Sequence, residues 1–265
     1  MQIIRLATFN ANNVYDGHDD PDKRDGPEKD ARGLQAVTEI LRDSEADVIS
    51  LQEIENLEML EEILNRGNLS ERYPYSILVE GNDRKGIDVA VMSRYPIARY
   101  ETHRDEVIGE SGGEPRRFLR DLLEVDVELP TGKSLRLFSN HYVARGNEWC
   151  DSQRLAEARA TGRIVREAAE EIPTNYSVVM GDFNDDPESP TIEALESEGL
   201  SNVTAGLPPS WGITRPHPEY QPVLFDQILV NEELQECLLG SGVLVHPSES
   251  AASDHRLVWA DFQVA

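Results

Sequence analysis

Short apolar runs alternate with polar breaks along this chain, and the runs follow two periods. Ile3–Phe9, Asp47–Gln52, Tyr75–Val79, Ile87–Ser93, Ser134–Ser139, Ser177–Met180, Phe225–Val230 and Leu257–Phe262 are compact and rich in β-branched or aromatic residues, which predicts strands. Leu34, Val37, Ile40 and Leu41 fall on one face of a predicted helix over 29–42. A short helix is expected near 55–65, bounded by Gly67, and a long Ala- and Arg-rich one over 152–171. Pro190 opens a further helix at the position proline tolerates best. Phe118–Leu129 and Ser134–Ser139 read as a hairpin through Pro130-Thr131-Gly132-Lys133, and Tyr75–Val79 and Ile87–Ser93 as a pair around Glu80–Gly86. Gly109 to Gly113 reads as a flexible loop, and 199–225 as an irregular connection rich in Pro, Gly and aromatics. Strands interleaved with helices and hairpins predict a mixed α/β fold, and the hairpins argue against a purely parallel, doubly wound sheet. No linker divides the 265 residues, so one domain over 1–265 is expected.

Composition sharpens this picture mainly through charge. Fifty acids against 25 bases give a formal charge of −25, and the bases are 21 Arg and only 4 Lys. Such a surface repels nucleic acid at low salt, because phosphate-backbone affinity comes from Lys and Arg displacing counterions. Two explanations stand side by side: adaptation to a salty cytoplasm, where the screening length shrinks to about 3 Å near 1 M salt, or a plain Arg-over-Lys bias. An apolar fraction of 39% suits a globular core, and no run approaches a membrane span, so no membrane insertion is expected. Met1-Gln2-Ile3-Ile4-Arg5 leads straight into a strand, without the pattern of a signal peptide. Cys150 and Cys237 show neither metal spacing nor a disulfide framework, and a cytoplasmic location is the expectation. Nothing in the chain names a protein partner, which leaves a monomer as the default.

The chemistry lies where apolar runs stop. Ser177-Val178-Val179-Met180 ends in Gly181-Asp182-Phe183-Asn184, and side chains alternate faces on a strand, so Asp182 and Asn184 project together while Phe183 turns to the core. Similar polar clusters stand at Asn10/Asn12, Glu53, Asn140-His141, Asp226 and Asp254-His255. Singly, each is a turn residue, a helix cap or a solvated charge. Six in one chain, all at strand ends, point to one site where those ends meet. A hard cation such as Mg²⁺ takes oxygen ligands, often one or two carboxylates plus water, and Glu53 with Asn10 could supply them. The six histidines lack the paired spacing of a zinc site, and no nucleophile elbow, Walker loop or dinucleotide glycine fingerprint occurs.

Taken in order, Thr8-Phe9-Asn10-Ala11-Asn12, Ile49-Ser50-Leu51-Gln52-Glu53, Gly181-Asp182-Phe183-Asn184, Phe225-Asp226-Gln227-Ile228-Leu229 and Ser253-Asp254-His255 resemble the motifs of the endonuclease/exonuclease/phosphatase (DNase I-like) superfamily. The resemblance spans about residues 3–263. Glu53-Ile54-Glu55-Asn56 and Gly86–Ile97 look most like its bacterial, nuclease-like members. It implies a four-layer α/β/β/α sandwich of two mixed sheets packed face to face, with the site at one end. It further implies that Glu53 binds Mg²⁺ or Mn²⁺, with Asn10 directly or through water and Asp254 holding the metal's water shell. His141 and Asn184 would contact the scissile phosphate, Asp182 would orient or deprotonate water, and His255, positioned by Asp226, would stabilise phosphoryl oxygens. Whether Asp182 or the His255–Asp226 pair is the base, and whether one metal or two take part, stays open. Asn12 stands where some members carry Asp.

Substrate identity is less legible. Arg84-Lys85, Arg116-Arg117, Arg120, Arg145 and Arg154 are candidate phosphate contacts, with Arg120 and Arg145 nearest the His141 strand. Trp211, His217 and Tyr220 could stack on a base or sugar, or pack their loop onto the sheet. Three readings follow: a metal-dependent nuclease-like phosphodiesterase, a phosphomonoesterase or small-molecule phosphodiesterase, and a catalytically silent binding module.

Overall fold

The computed structural model describes residues 1–18, 20–171, 174–207 and 223–265. Trp211, His217 and Tyr220 lie outside the described residues. Numbered along the chain, the first sheet holds β1 (Gln2–Val14), β2 (Val48–Ile54), β3 (Tyr75–Val79), β4 (Asp88–Ser93), β13 (Leu238–Val243) and β14 (Val258–Val264). Its order is β13-β14-β1-β2-β4-β3, with β1 and β2 parallel and the other neighbours antiparallel. The second sheet holds β5 (Ile97–Thr102), β8 (Leu123–Glu128), β9 (Ser134–His141), β10 (Tyr176–Asp182), β11 (Ser201–Asn202) and β12 (Asp226–Val230). Its order is β11-β12-β10-β9-β8-β5, and only β9 and β10 run parallel. A separate hairpin joins β6 (Gly109–Ser111) to β7 (Glu114–Arg116).

Helices α1 (Ala31–Asp43) and α2 (Leu57–Arg66) cover the first sheet, while α4 (Glu148–Glu171) and α5 (Pro190–Glu196) cover the second. Short turns α3 (Leu69–Arg72), α6 (Glu232–Gln235) and α7 (Glu249–Ala252) complete the described helices. Three apolar layers result. Phe9, Ile49 and Leu51 meet Val37, Leu41 and Ile63 on one outside face. Phe138, Val179 and Phe183 meet Ile164, Ile192 and Leu195 on the other. Between the sheets, Ile4, Leu6 and Val48 pack on Leu135, Leu137 and Val178. The arrangement is the four-layer α/β/β/α sandwich expected from the sequence.

Local signals set the helix starts. Asp30 accepts the Gly33 N–H at 2.7 Å, and Asn56 accepts the Met59 N–H at 2.9 Å, each satisfying a donor the helix leaves orphaned. α4 starts at Glu148 rather than 152, because Asn147 accepts the N–H groups of Trp149 and Cys150. The stretch read as a loop at 109–113 is instead part of the β6–β7 hairpin, its turn made by Gly112 and Gly113 at φ 62° and 86°. The strand expected from Phe118 begins at Leu123, and β5 and β13 add strands the apolar runs did not signal.

The inner faces change character along the strands. Ile4 and Leu6 give way to Thr8 and Asn10 on β1, Val48 to Ser50 and Gln52 on β2, Leu137 to Ser139 and His141 on β9, and Met180 to Asp182 on β10. One end of the sandwich is therefore oily and the other polar. Between them a buried bridge spans the sheets: Ser50 Oγ lies 2.6 Å from Ser139 Oγ, and Gln52 donates to Ser50 at 2.8 Å.

Candidate active site

The polar end is assembled by register. His141, Asp182 and Asp226 are direct neighbours on β9, β10 and β12, a row of three across the second sheet. Gly181 makes that row possible, since a Cβ there would collide with the Asn140 carbonyl of the adjacent strand. Facing the row are Asn10 from β1 and Glu53 from β2. The pairings of β2 with both neighbours shift around Glu53, which sits at φ 65°. That bulge takes Glu53 out of the strand's simple alternation and turns its carboxylate into the site. Asn184 holds φ 50° and Asn12 and Asn13 hold 53°, so four of the six left-handed non-glycine residues described belong to this end of the molecule. Asn accepts that conformation readily and Glu does not, which marks Glu53 as strained by its position.

Side chains converge tightly. Asn10 Nδ2 donates to Glu53 Oε1 at 3.1 Å and to Asp182 Oδ2 at 3.0 Å, while its Oδ1 accepts the Asn12 N–H at 2.9 Å. Glu53 Oε2 accepts the Asn13 N–H at 2.8 Å. His141 Nε2 lies 3.7 Å from Glu53 Oε1 and 3.6 Å from Asp182 Oδ2. His255 Nδ1 bonds Asp226 Oδ2 at 2.8 Å, and its Nε2 lies 3.8 Å from Asp182 and 3.9 Å from Asp254. Ser253 fixes this corner by donating to the Asn10 carbonyl at 2.7 Å and accepting the His255 N–H at 2.9 Å. Asn184 donates to the Tyr142 carbonyl at 3.0 Å, and its own N–H caps Asp182 at 2.8 Å. Every candidate metal or catalytic residue named from the sequence thus lies in one cluster.

Burial splits the titrations apart. Burial pushes the Asp182 carboxyl up, His255 opposes that, and the result is about 6. Burial alone would depress His255, yet Asp226 and Asp182 outweigh it and hold the imidazolium up to about 10. His141 is driven well below its usual value by burial, then by the charges of Arg120, His255 and Lys85. Its Nδ1 has no hydrogen-bond partner, and Nε2 faces two carboxylates, as a neutral ring with the proton on Nε2 would.

A hard divalent ion fits this donor set. Glu53 and Asp182 present carboxylate oxygens around a shared Asn10 amide, and Glu53 keeps 16% of its side chain open to solvent. Asp182, Asp226 and His255 also lie close enough to share an ion, with ligand atoms within 4.8 Å of one another. In that trio, however, Asp226 and His255 are already bonded to each other. Glu53 is therefore the more accessible ligand.

The two expected substrate arginines are already engaged. Arg120 is buried, 2.8 Å from Asp83, and donates to the Tyr142 carbonyl at 3.2 Å. Arg145 bonds Asp185 at 2.8 Å and Asp186 at 2.5 Å over the Phe225 ring. Arg154 is buried against Asp185 and Asp151. Glu55 and Asn56 tie down the chain after β1, Glu55 accepting the Asp16 N–H at 2.6 Å and Asn56 donating to Asp16 at 3.0 Å. Ser253 and the Ser50–Ser139 bridge were not singled out by sequence reasoning; their signal was a serine on the inward face of an apolar strand or beside the Asp254-His255 pair.

Comparison with known proteins adds relatives. Residues 5–208 match the family described as Endonuclease/Exonuclease/phosphatase family. No curated protein matches the chain. Among solved structures, the endonuclease/exonuclease/phosphatase from Bacteroides vulgatus superposes with a TM-score of 0.69 at 18% identity, covering 100% of both chains. The corresponding protein of Beutenbergia cavernae DSM 12333 gives 0.68 at 19%, covering 100% of this chain and 72% of its own. TDP2 from Caenorhabditis elegans gives 0.64 at 16%, covering 99% and 75%. At these identities the likeness is one of fold.

Proposed function

This chain belongs to the endonuclease/exonuclease/phosphatase family, and from that membership we propose that it is a divalent-metal-dependent phosphodiesterase of the nuclease-like kind. Members of the family hydrolyse phosphoesters. The observation that carries the reading is the meeting of Asn10, Glu53, His141, Asp182 and the His255–Asp226 pair at one end of the sandwich.

The reaction is displacement at phosphorus by water. Asp182, largely ionised at neutral pH, accepts the water's proton while the Asn10 amide and the Asn184 N–H keep its carboxylate aimed. Held protonated by Asp226, His255 offers Nε2–H to a phosphoryl oxygen as negative charge builds there. Neutral His141 adds a second donor without adding charge beside Glu53. Mg²⁺ or Mn²⁺ would be held by Glu53, with Asp254 and, through water, Asn10, and would supply positive charge that neutralises the phosphoryl and leaving oxygens.

Glu53→Ala, Asp182→Ala and His255→Ala should each lower turnover by about 10² to 10⁴ with circular dichroism unchanged. The substrates are plasmid, single-stranded DNA, bis(p-nitrophenyl) phosphate and p-nitrophenyl phosphate, each with Mg²⁺ or Mn²⁺. Full activity in any variant removes that residue from the mechanism. The formal charge of −25 favours a second reading, a phosphomonoesterase or small-molecule phosphodiesterase. Cleavage of p-nitrophenyl phosphate alone would replace the first reading with it, and cleavage of nothing would leave a binding module. Cys150 and Cys237 are both free thiols, which suits a cytoplasmic setting. Among the described residues no helix is long and apolar enough to cross a membrane.

A further inference from the structure

Most cations of this acidic chain are spent on neighbouring acids, as at Arg5–Asp261, Arg94–Asp47, Arg136–Asp126 and Arg256–Glu249. Beside the active site the pattern reverses. A groove of about 430 Å³ runs along Asn12 and Asn13 and is walled by Arg24, Lys29 and Lys85, with no acidic residue in its lining. Two of the chain's four lysines are here. None of the three cations forms an ion pair among the described residues. Four acids of the same loops turn to other partners: Asp83 to Arg120, Asp16 to Asn56, Asp25 to the Asp20 N–H and Glu80 to Lys23.

The groove is built, not incidental. Its two loops are clasped where the Arg24 N–H donates to the Arg84 carbonyl at 2.6 Å, and Gly86 at φ 64° turns tightly against the Lys23 side chain. Lys29 is half-buried, with Nζ on the Asn12 carbonyl at 2.7 Å, while Arg24 and Lys85 are exposed. The groove also shares a wall with the site, because the Asn13 N–H holds Glu53 at 2.8 Å. A groove lined by three cations and joined to Glu53 through Asn13 suits a ligand anionic at two places: one group at the reacting centre, the next in the groove.

Resting on the phosphodiesterase reading, we propose that Arg24, Lys29 and Lys85 form a subsite for a non-scissile phosphate of the substrate, as the neighbouring linkage of a nucleic-acid strand supplies. Lys29 is the fixed floor of the subsite and the two exposed cations close over the phosphate. Locally the groove offsets the repulsion that the −25 surface imposes on a polyanion.

The test compares wild type with Arg24→Ala/Lys85→Ala, both exposed positions, and separately with Lys29→Gln. Binding of a short 5′-labelled oligothymidylate is followed by fluorescence anisotropy in EDTA, from about 50 to about 200 mM salt. The double variant should bind about tenfold more weakly, and its log–log salt slope should be shallower by about 0.7 for each phosphate it no longer neutralises. With Mg²⁺, kcat/KM should fall by a larger factor on the oligonucleotide than on bis(p-nitrophenyl) phosphate, which has no second phosphate. Equal affinity and slope in wild type and variant, no oligonucleotide binding by wild type, or an equal loss on both substrates would each overturn the subsite. If wild type binds the oligonucleotide but hydrolyses no phosphoester, the phosphodiesterase reading falls while the anisotropy still decides the groove.

Discussion

Removing the Asp226 carboxylate should uncouple His255 from its charge, and the size of that change follows from the geometry. Asp226 lies 2.8 Å from His255 Nδ1, and both are buried. Against the opposing cost of burial, Asp226, Asp182 and Asp254 hold the imidazolium up to about 10 from an ordinary 6.5. At about 1.4 kcal/mol per unit, and with Asp182 and Asp254 left in place to keep part of the effect, the pair stands for on the order of 3 kcal/mol. The sign is fixed by which state holds the proton. His255 binds it more tightly in the folded chain, so the stabilisation is whole below pH 6.5 and is lost as pH rises through about 10. Asp226→Asn should therefore be least stable relative to wild type at pH 6.5 and below, with the gap closing toward pH 10. Two measurements check this in EDTA: urea unfolding across that range, and ¹H–¹⁵N NMR titration of the His255 ring. Wild type should keep both ring nitrogens protonated past pH 8, whereas the variant should titrate markedly lower. A wild-type ring that deprotonates at or below 6.5 would refute both the energetic reasoning and the donor role given to His255.

Three further outcomes follow from separate parts of the fold. Burial pushes Asp88 up to about 7 from 3.8, and its Oδ2 has no partner, so the folded chain loses stability as pH rises between those values. Asp88→Asn should gain up to about 4 kcal/mol on wild type between pH 4 and pH 8 by urea denaturation, and a pH-independent difference would contradict this. Gly181→Ala forces a methyl against the Asn140 carbonyl and should cost about 3 kcal/mol or more, with activity lost as Asp182 shifts; a neutral Tm would contradict it. At −25 the chain repels itself, so its Tm should climb from about 0.1 M to about 1 M salt, and a Tm highest in dilute buffer would leave no support for a salt-adapted surface.

Buried strands were legible because Val178, Val179 and Met180, or Val48 and Ile49, must be covered on both faces and so form unbroken apolar runs. Edge strands were not. Ile97–Thr102 holds no fully buried residue and exposes Tyr100 and Glu101, and Leu238–Val243 includes Gly240 and Gly242, which weaken any strand signal. The residues of the site were legible as types at strand ends, since polar atoms stranded beside a core need a reason. Their aim was not: the bulge at Glu53 depends on how β2 pairs with two partners far away in sequence. Nor could the sequence separate occupied from idle arginines, because the acids that claim Arg120, Arg145 and Arg154 arrive through the fold.

The Ser50–Ser139 bridge crosses the seam between two halves, and the clustered polar groups above it are divided along the same line. Asn10 and Glu53 ride on one slab, His141, Asp182 and Asp226 on the other. A slip of a single ångström between slabs would leave every strand intact and still scatter the cluster. On the proposed function, turnover would thus gauge how the slabs are docked, and on gentle denaturation it should fade before the far-ultraviolet signal of the strands does.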